Sequence, residues 1–267
     1  MINRFRPLSP SCRTLCGCGL WVSLPAQPQA GPLPPPAQPR AVTSAPLAMA
    51  STGADLKVQK AAMRKELKAA LKATSPDNMA AQSEEIAKHL LPARFFQDIS
   101  TVAVYLTAPR LREVDTNAIV ADLLQPGSSR RCYVPVVVDS ASNMRFLHIA
   151  DMESLVEMPP FGILEPTPEY PDGTPREDVL NHSGPLDLIL LPGLGFDKQG
   201  GRLGRGGGYY DKFLEKIMLR ATENGWPRPK FVALAFREQL VDVVPMTAQD
   251  QRIDFLVTAD GIHAFGE

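Results

Sequence analysis

The sequence of 267 residues lacks several features that would identify a class of protein at once. It has only 4 cysteines, three of them close to its start (Cys12, Cys16 and Cys18). Cys132 alone follows, so residues 55–267 cannot form an internal disulfide. No apolar run approaches the roughly 18 residues of a membrane-spanning helix. The 28 basic and 29 acidic residues nearly cancel, which argues against a general nucleic-acid-binding protein.

Acidic residues are absent from the first 54 positions. That stretch carries four arginines, many prolines and scattered Ser, Thr and Ala, and Asp55 is the first acid in the chain. An Arg-bearing, acid-free, hydroxyl-containing leader is typical of an organellar transit peptide. We therefore expect residues 1–54 to be a disordered transit peptide, mitochondrial or, as the alternative, plastid. A disordered leader without a targeting function is the simpler interpretation, and translation from Met49 would give a cytoplasmic product.

Residues 55–267 show alternating helical and strand patterns. Apolar residues recur at helical spacing from Asp55 to Ala73, and β-branched or apolar runs of strand length follow at intervals. This alternation predicts an α/β fold, a three-layer α/β/α sandwich with a mostly parallel, Rossmann-like sheet. The predicted strands are 100–106, 132–138, 144–149, 186–191, 231–236 and 255–258, with further helices at 75–91, 115–124 and 209–219. Residues 158–184 are predicted to be irregular because Pro and Gly are dense there.

A glycine-rich segment follows the apolar strand that ends at Leu191. Residues 200–208, the Gly-rich loop, contain six glycines and two arginines and lead into a predicted helix. Glycine backbone N–H groups, a helix N-terminus and arginine side chains together suit phosphate binding. The simplest alternative is a flexible connector with solvated arginines. The segment matches neither common nucleotide fingerprint, since Gly-x4-Gly-Lys-Ser/Thr is absent and Tyr209 replaces the last glycine of Gly-x-Gly-x-x-Gly.

The stretch from Pro192 to Asp211 resembles the signature of the 5-formyltetrahydrofolate cyclo-ligase (5,10-methenyltetrahydrofolate synthetase) family. It reads Pro-Gly-Leu-Gly-Phe-Asp, three further residues, and then Gly-Arg-Leu-Gly-Arg-Gly-x-Gly-Tyr-Tyr-Asp. Four more segments in the right order are similar to family motifs: Lys60-x3-Arg64, Glu113-Val-Asp-Thr116, Phe161-Gly-Ile-x-Glu-Pro166, and a C-terminal part with Ala233-x-Ala-Phe236 and Val244-Pro-x4-Asp250. The resemblance covers nearly all of residues 57–258.

The resemblance implies an enzyme that converts 5-formyltetrahydrofolate and ATP to 5,10-methenyltetrahydrofolate, ADP and phosphate, with Mg²⁺ as cofactor. A formamide is a poor electrophile, so ATP first phosphorylates its oxygen. N10 of the folate then attacks the activated carbon, and phosphate leaves. Such a reaction depends chiefly on positioning and charge neutralisation. The expected partners are these small molecules, without nucleic acid or membrane, and we expect a monomer.

By the same resemblance, Arg205 and Tyr209 are expected to be catalytic and to contact the folate as well as the nucleotide. The expected folate-binding residues also include Leu106, Glu113 and Phe161, and the expected Mg²⁺ ligands are Asp211 and Asp250. The expected ATP site comprises Lys60, Arg64, Arg202, Leu203, Gly204, Arg205, Gly206, Gly207, Gly208, Tyr209 and Tyr210.

Simpler or rival interpretations stay open at this stage. Lys60 and Arg64 share one helix face and could reach the same phosphates, but they could equally belong to a solvated basic stripe. Glu113 by itself is an acid beside Arg112, and Asp250 by itself could lie in a surface turn. The main rival function is a catalytically inactive folate- or nucleotide-binding module of the same family. A sugar-phosphate isomerase or coenzyme-A transferase would not need the Gly-rich loop, and no aromatic–basic motif indicates RNA binding.

Overall fold

The computed structural model describes residues 53–158, 162–247 and 250–266. The predicted transit peptide, apart from its last two residues, and the predicted folate contact Phe161 lie outside these ranges. The expectations for them stay predictions.

Within the described ranges the chain forms five α-helices. The second begins after Ser75, whose side chain accepts a hydrogen bond from the backbone N–H of Asn78, and Pro76 occupies its first turn. The last begins after Gly208 and ends before Gly225, both in the left-handed conformation. No helix within the described ranges has the length and apolarity needed to cross a membrane. The helices are α1 (Gly53–Ala73), α2 (Pro76–Leu90), α3 (Arg94–Gln97), α4 (Asn117–Leu123) and α5 (Tyr209–Asn224).

The main sheet has seven strands in the order β11-β10-β9-β6-β1-β2-β3. The five inner strands are mutually parallel, and the edge strands β3 and β11 pair antiparallel with their neighbours. The predicted mostly parallel sheet is therefore confirmed. Its strands are β1 (Thr101–Ala103), β2 (Arg131–Val137), β3 (Met144–Ile149), β6 (Leu188–Leu191), β9 (Lys230–Leu234), β10 (Phe255–Thr258) and β11 (Gly261–Ala264). Two small hairpins comprise β4 (Leu155–Met158) with β5 (Ile163–Pro166) and β7 (Gly195–Phe196) with β8 (Arg202–Leu203).

Helices cover both faces of this sheet. Alternate strand residues such as Val102 and Leu188 pack with apolar residues of α1, α2, α3 and α4. Their neighbours Ala103 and Ile189 point to the other face, where they pack with Phe213 and other residues of α5. Because inner strands are buried on both sides, they are nearly all apolar. The predicted three-layer α/β/α sandwich is therefore confirmed.

Several details differ from the sequence-based expectation. The ladder of β1 ends at Ala103 rather than at Leu106, because the chain then leaves the sheet towards the loop that carries Glu113. Residues 158–184 are not wholly irregular, since β5 lies within them and pairs with β4. The short edge strand β11 was not predicted, because Gly261 and the exposed side chains of His263 and Ala264 give no strand-like apolar run.

Candidate active site

The Gly-rich loop lies beyond the carboxyl end of β6, where it follows β7, includes β8 and leads into α5. This is the edge where ligands bind in open α/β sheets. Gly206 and Gly208 have φ angles of 101° and 73°, so both adopt a conformation that residues with a Cβ rarely occupy. These glycines let the backbone reverse just before the positive N-terminal end of α5. The loop therefore presents backbone N–H groups and a helix N-terminus at one place, as anion binding requires.

A buried carboxylate, Asp197, fixes the start of this loop. Its Oδ1 accepts hydrogen bonds from the backbone N–H groups of Gln199 and Gly201, both at 2.8 Å, and its Oδ2 accepts one from Val244 at 2.7 Å. A Cβ on Gly201 would collide with the same carboxylate. Asp197 belongs to the Pro192–Asp211 motif, but the sequence analysis gave it no role. Its function is to organise the loop, since all its bonds go to backbone.

Two cations of α1 reach the loop and its surroundings. Lys60 Nζ lies 2.5 Å from Oδ2 of Asp250, and Arg64 Nε donates to the carbonyl of Gly204 at 2.8 Å. Asp250 also accepts hydrogen bonds from the backbone N–H and hydroxyl of Thr247. Burial alone would raise the pKa of Asp250, but the bonds from Lys60 and Thr247 outweigh it and hold the pKa below its usual value. Neither Lys60 nor Arg64 is a solvated stripe residue.

Arg202 lies in β8, near the start of the loop, and its side chain is only 4% exposed. Its Nη2 donates to Oδ1 of Asp211 at 2.8 Å and its Nη1 to the carbonyl of Pro192 at 3.2 Å, while its Nε is buried without a hydrogen-bond partner. Burial lowers the pKa of Arg202, and the negative charges of Asp211 and Asp250 oppose that shift. The guanidinium is therefore influenced by the charges of both predicted metal ligands, and it forms an ion pair with one of them, Asp211.

Arg205 connects the Gly-rich loop to the predicted folate-binding acid. Its Nε lies 3.1 Å from Oε1 of Glu113, and its Nη2 donates to the carbonyl of Leu111. Glu113 is not an exposed acid, because its side chain is only 9% exposed. Burial raises its pKa, although the charge and hydrogen bond of Arg205 and a bond with the backbone of Ala108 act in the opposite direction. A buried carboxylate of this kind can accept paired N–H donors from a ligand.

The turn that carries Glu113 is held from within. Thr116 donates from its backbone N–H to the hydroxyl of Thr107 and from its own hydroxyl to the carbonyl of Tyr105. Asp115 accepts the backbone N–H of Asn117 at the start of α4, so this second acid of the motif has a structural role.

The other predicted contact residues differ in how deeply their side chains are buried. Leu106 and Leu203 are buried in the apolar core between the sheet and helices α1 to α4, which leaves only their backbone groups to face a ligand. Tyr210 packs against the apolar cores on both faces of the sheet, and burial raises its pKa far above the ordinary value. Tyr209 is half-buried in the first turn of α5, and its hydroxyl donates to the carbonyl of Asp139 at 3.1 Å.

The turn between β2 and β3 also contacts the site, which the sequence analysis missed. The hydroxyl of Ser142 donates to the carbonyl of Gly207, and Lys212 Nζ donates to the carbonyl of Ala141 at 2.5 Å. Asp139 shapes this turn by accepting the backbone N–H groups of Ala141 and Asn143. A short Ser- and Asn-rich turn has no distinctive signal, because its contacts are made across a sequence distance of more than sixty residues.

The donor set for a cation is small. Within the described ranges, no group of three or more His, Cys, Asp and Glu side chains is arranged to hold a metal ion. Asp211 and Asp250 together provide two carboxylates, the first paired with Arg202 and the second with Lys60. That set fits Mg²⁺, which keeps several waters and takes further oxygens from bound phosphates.

Comparison with known proteins agrees with this geometry. Residues 56–259 match the model of the 5-formyltetrahydrofolate cyclo-ligase family. The chain is 44% identical over 209 residues to the mitochondrial 5-formyltetrahydrofolate cyclo-ligase of Arabidopsis thaliana, covering 76% of this chain and 75% of the relative. It is 32% identical over 203 residues to the 5-formyltetrahydrofolate cyclo-ligase of Mus musculus, covering 75% and 94%.

A similar fold occurs in a solved structure. The NMR structure of 5,10-methenyltetrahydrofolate synthetase from Aquifex aeolicus superposes with a TM-score of 0.61 at 24% identity, covering 78% of this chain and 93% of that one. That likeness concerns the fold, whereas the family match over residues 56–259 covers the site segments as well. The chain thus belongs to the 5-formyltetrahydrofolate cyclo-ligase family.

Proposed function

We propose that this chain catalyses the ATP-dependent cyclisation of 5-formyltetrahydrofolate to 5,10-methenyltetrahydrofolate, with release of ADP and phosphate. The observation that carries the proposal is the position of Arg205. Its guanidinium extends from the Gly-rich loop to Glu113, so one side chain joins the nucleotide-binding and folate-binding parts of the site. A ligase that transfers a phosphoryl group from ATP to a folate oxygen needs this proximity.

The nucleotide phosphates would bind the Gly-rich loop. Backbone N–H groups of residues 204–208 and the N-terminus of α5 provide donors, while Lys60 and Arg64 provide positive charge from α1. The buried guanidinium of Arg202, with one unpaired N–H, adds a further positive charge. Phosphoryl transfer requires little covalent chemistry from the protein, so this positioning and charge neutralisation are its main contribution.

The folate would bind on the Glu113 side of Arg205. The carboxylate of Glu113 would accept the paired N–H donors of the pterin ring, and Phe161 would supply an aromatic surface. Arg205 and Tyr209 would lie beside the formyl group. The cation of Arg205 would stabilise the negative charge of the γ-phosphoryl group as it passes from ADP, which leaves, to the formyl oxygen, and then the charge of the phosphate that leaves when N10 closes the ring.

Mg²⁺ is proposed as the cofactor, held by Asp211 and Asp250. When bound, it would neutralise charge on the phosphate oxygens of ATP. Lys60 and Arg202, which pair with these carboxylates, would orient them towards the loop.

The test is an absorbance assay on protein that starts at Met49. It would contain 5-formyltetrahydrofolate and MgATP and follow the methenyl chromophore in the near ultraviolet. We expect ATP-dependent product from the wild type and a loss of at least about a hundredfold in kcat/KM for Arg205→Ala, as for removal of a charged group that stabilises the transition state. Arg220→Ala is the control, because Arg220 likewise joins distant segments through two hydrogen bonds of its guanidinium, to the carbonyls of Gly184 and His182, but lies on the far part of α5.

Folded wild-type protein that binds ATP and 5-formyltetrahydrofolate without forming product would instead establish the inactive binding module. Equal activity of Arg205→Ala and wild type would refute the role of Arg205.

For the cell, we propose import into mitochondria directed by residues 1–54, with a cytoplasmic form if translation begins at Met49. The composition of the leader and the mitochondrial relative of Arabidopsis thaliana support this. Fluorescent fusions of the full chain and of the chain from Met49 would test it. Mitochondrial signal only from the full chain is expected, and plastid signal would establish the alternative. A single monomer peak in light scattering would agree with the expected oligomeric state.

A further inference from the structure

Arg112 combines an uncommon backbone conformation with an unusual set of partners. Its φ is 53°, in the left-handed region that non-glycine residues rarely occupy. Such a conformation persists only where surrounding contacts determine it, and these residues cluster at functional sites. Arg112 lies immediately before Glu113 and immediately after Leu111, and both of those residues accept hydrogen bonds from Arg205.

The contacts that hold Arg112 come from the end of α1. Its Nε donates to the carbonyl of Leu71 at 2.7 Å, and its Nη2 donates to the carbonyl of Thr74. Carbonyls at a helix C-terminus have no partner inside the helix, and the negative end of the helix dipole favours a cation there. The guanidinium of Arg112 therefore serves as a side-chain cap on α1 from a distant loop.

Three arginines on three elements form a closed ring through such contacts. Arg64 of α1 donates to the carbonyl of Gly204 in the Gly-rich loop. Arg205 of the Gly-rich loop donates to the carbonyl of Leu111, next to Arg112. Arg112 then donates back to α1. Each of the three elements that carry predicted site residues is thereby fixed to the other two.

We propose that Arg112 is a positioning residue that fixes Glu113 and the carbonyl of Leu111 so that both face Arg205. Anchoring the guanidinium to the end of α1 holds the turn in its left-handed conformation. Without that anchor the turn relaxes towards negative φ, and the carboxylate of Glu113 loses its alignment with the folate. This inference rests on the proposed function, because it assigns Glu113 to folate binding.

The experiment compares three substitutions of Arg112 with wild type and with the remote control Arg220→Ala. Arg112→Ala removes the anchor and disfavours the left-handed backbone. Arg112→Gly removes the anchor but permits that backbone. Arg112→Lys retains a charge and one donor group for the end of α1. Each protein is measured for binding of 5-formyltetrahydrofolate by calorimetry without ATP, for the KM of both substrates, and for its melting temperature.

We expect Arg112→Ala and Arg112→Gly to weaken folate binding and to raise the folate KM by about tenfold, the effect of losing roughly one well-placed charged hydrogen bond. The KM for MgATP should change by less than about twofold. Arg112→Lys should recover part of the folate affinity. Arg220→Ala should bind folate as the wild type does, even if its melting temperature falls.

Wild-type folate affinity in Arg112→Ala would overturn the inference. Full recovery in Arg112→Gly would also overturn it, because backbone conformation rather than the anchor would then be the cause. Equal increases in the KM of both substrates would show a general loss of structure and refute a folate-specific role. Wild-type protein that binds folate without turnover would refute the proposed reaction alone, whereas absence of folate binding to the wild type would overturn both.

Discussion

Substitution of Glu113 tests two expected properties of this side chain, its cost to the free energy of unfolding and its contribution to folate binding. Burial raises the pKa of its carboxyl above the ordinary value of 4.5, so the folded protein disfavours the charged form. The unfolded chain releases this proton more readily, and the carboxylate therefore costs stability as the pH rises from the unfolded pKa through the folded one. Glu113→Gln keeps the shape of the side chain and one acceptor oxygen, but it removes that charge and puts an N–H donor in place of the second oxygen.

Two opposite effects are expected from Glu113→Gln. The substitution leaves one acceptor oxygen for the paired N–H donors proposed on the pterin, so one hydrogen bond to a charged group is lost. A bond to a charged group is worth about 1.5–3 kcal/mol, so the KM for 5-formyltetrahydrofolate should rise by about 10- to 100-fold. The free energy of unfolding should rise relative to wild type as the pH increases from 4 to 7, because the variant has no charge to bury.

The assay varies 5-formyltetrahydrofolate at saturating MgATP and follows thermal unfolding across the same pH range. Asp122→Asn is the matched control, since Asp122 pairs with Arg130 at 2.7 Å near the amino end of β2, away from the site. Its folate KM should equal that of the wild type. An unchanged folate KM in Glu113→Gln would refute the assignment of Glu113 to the folate, and a stability difference that shrinks with rising pH would refute the electrostatic reasoning.

Three further predictions concern the nucleotide side. Gly206→Ala should raise the KM for MgATP by about tenfold, because φ at this position is 101° and the new Cβ would lie 3.4 Å from Cζ of Arg64. Initial rates measured over a range of MgATP concentrations check this. Asp211→Asn should raise the half-saturating Mg²⁺ concentration by about tenfold or more at fixed ATP, and an unchanged Mg²⁺ titration would exclude Asp211 as a ligand. Lys60→Met should destabilise the protein most at neutral pH, because Lys60 keeps the pKa of Asp250 below 3.8. The difference in melting temperature should shrink as the pH falls below that value, since the stability from an ionised Asp250 is lost there in the wild type.

The fold and the family could be predicted because they rest on local patterns and on long motifs. The apolar run that ends at Leu191 predicts a strand buried on both faces, and the glycines after it predict a loop before a helix. Both features are confirmed, as is membership of the cyclo-ligase family. The edge strand β11 could not be predicted from such a pattern, because it has a glycine and exposed side chains. Its strand conformation comes from pairing with β10 rather than from its own sequence.

Within the site, the sequence indicated residue types but not their partners. Lys60 with Asp250 and Arg205 with Glu113 join segments that are 190 and 92 residues apart, so no spacing rule reveals them. The role of Arg112 could not be predicted either. It depends on a left-handed φ and on the position of a helix end, and the presence of an arginine in the loop before Glu113 indicates neither of them.

Asp197 has a consequence for the energetics of ligand binding. Its carboxylate binds three backbone N–H groups, so the entry to the Gly-rich loop is ordered by the fold itself. Fixing one residue of backbone costs about 1–2 kcal/mol of conformational entropy. In this protein that cost is met when the chain folds, and a bound nucleotide has less of the loop left to immobilise. The loop is preorganised, and more of the interaction energy between the phosphates and the protein remains available for affinity.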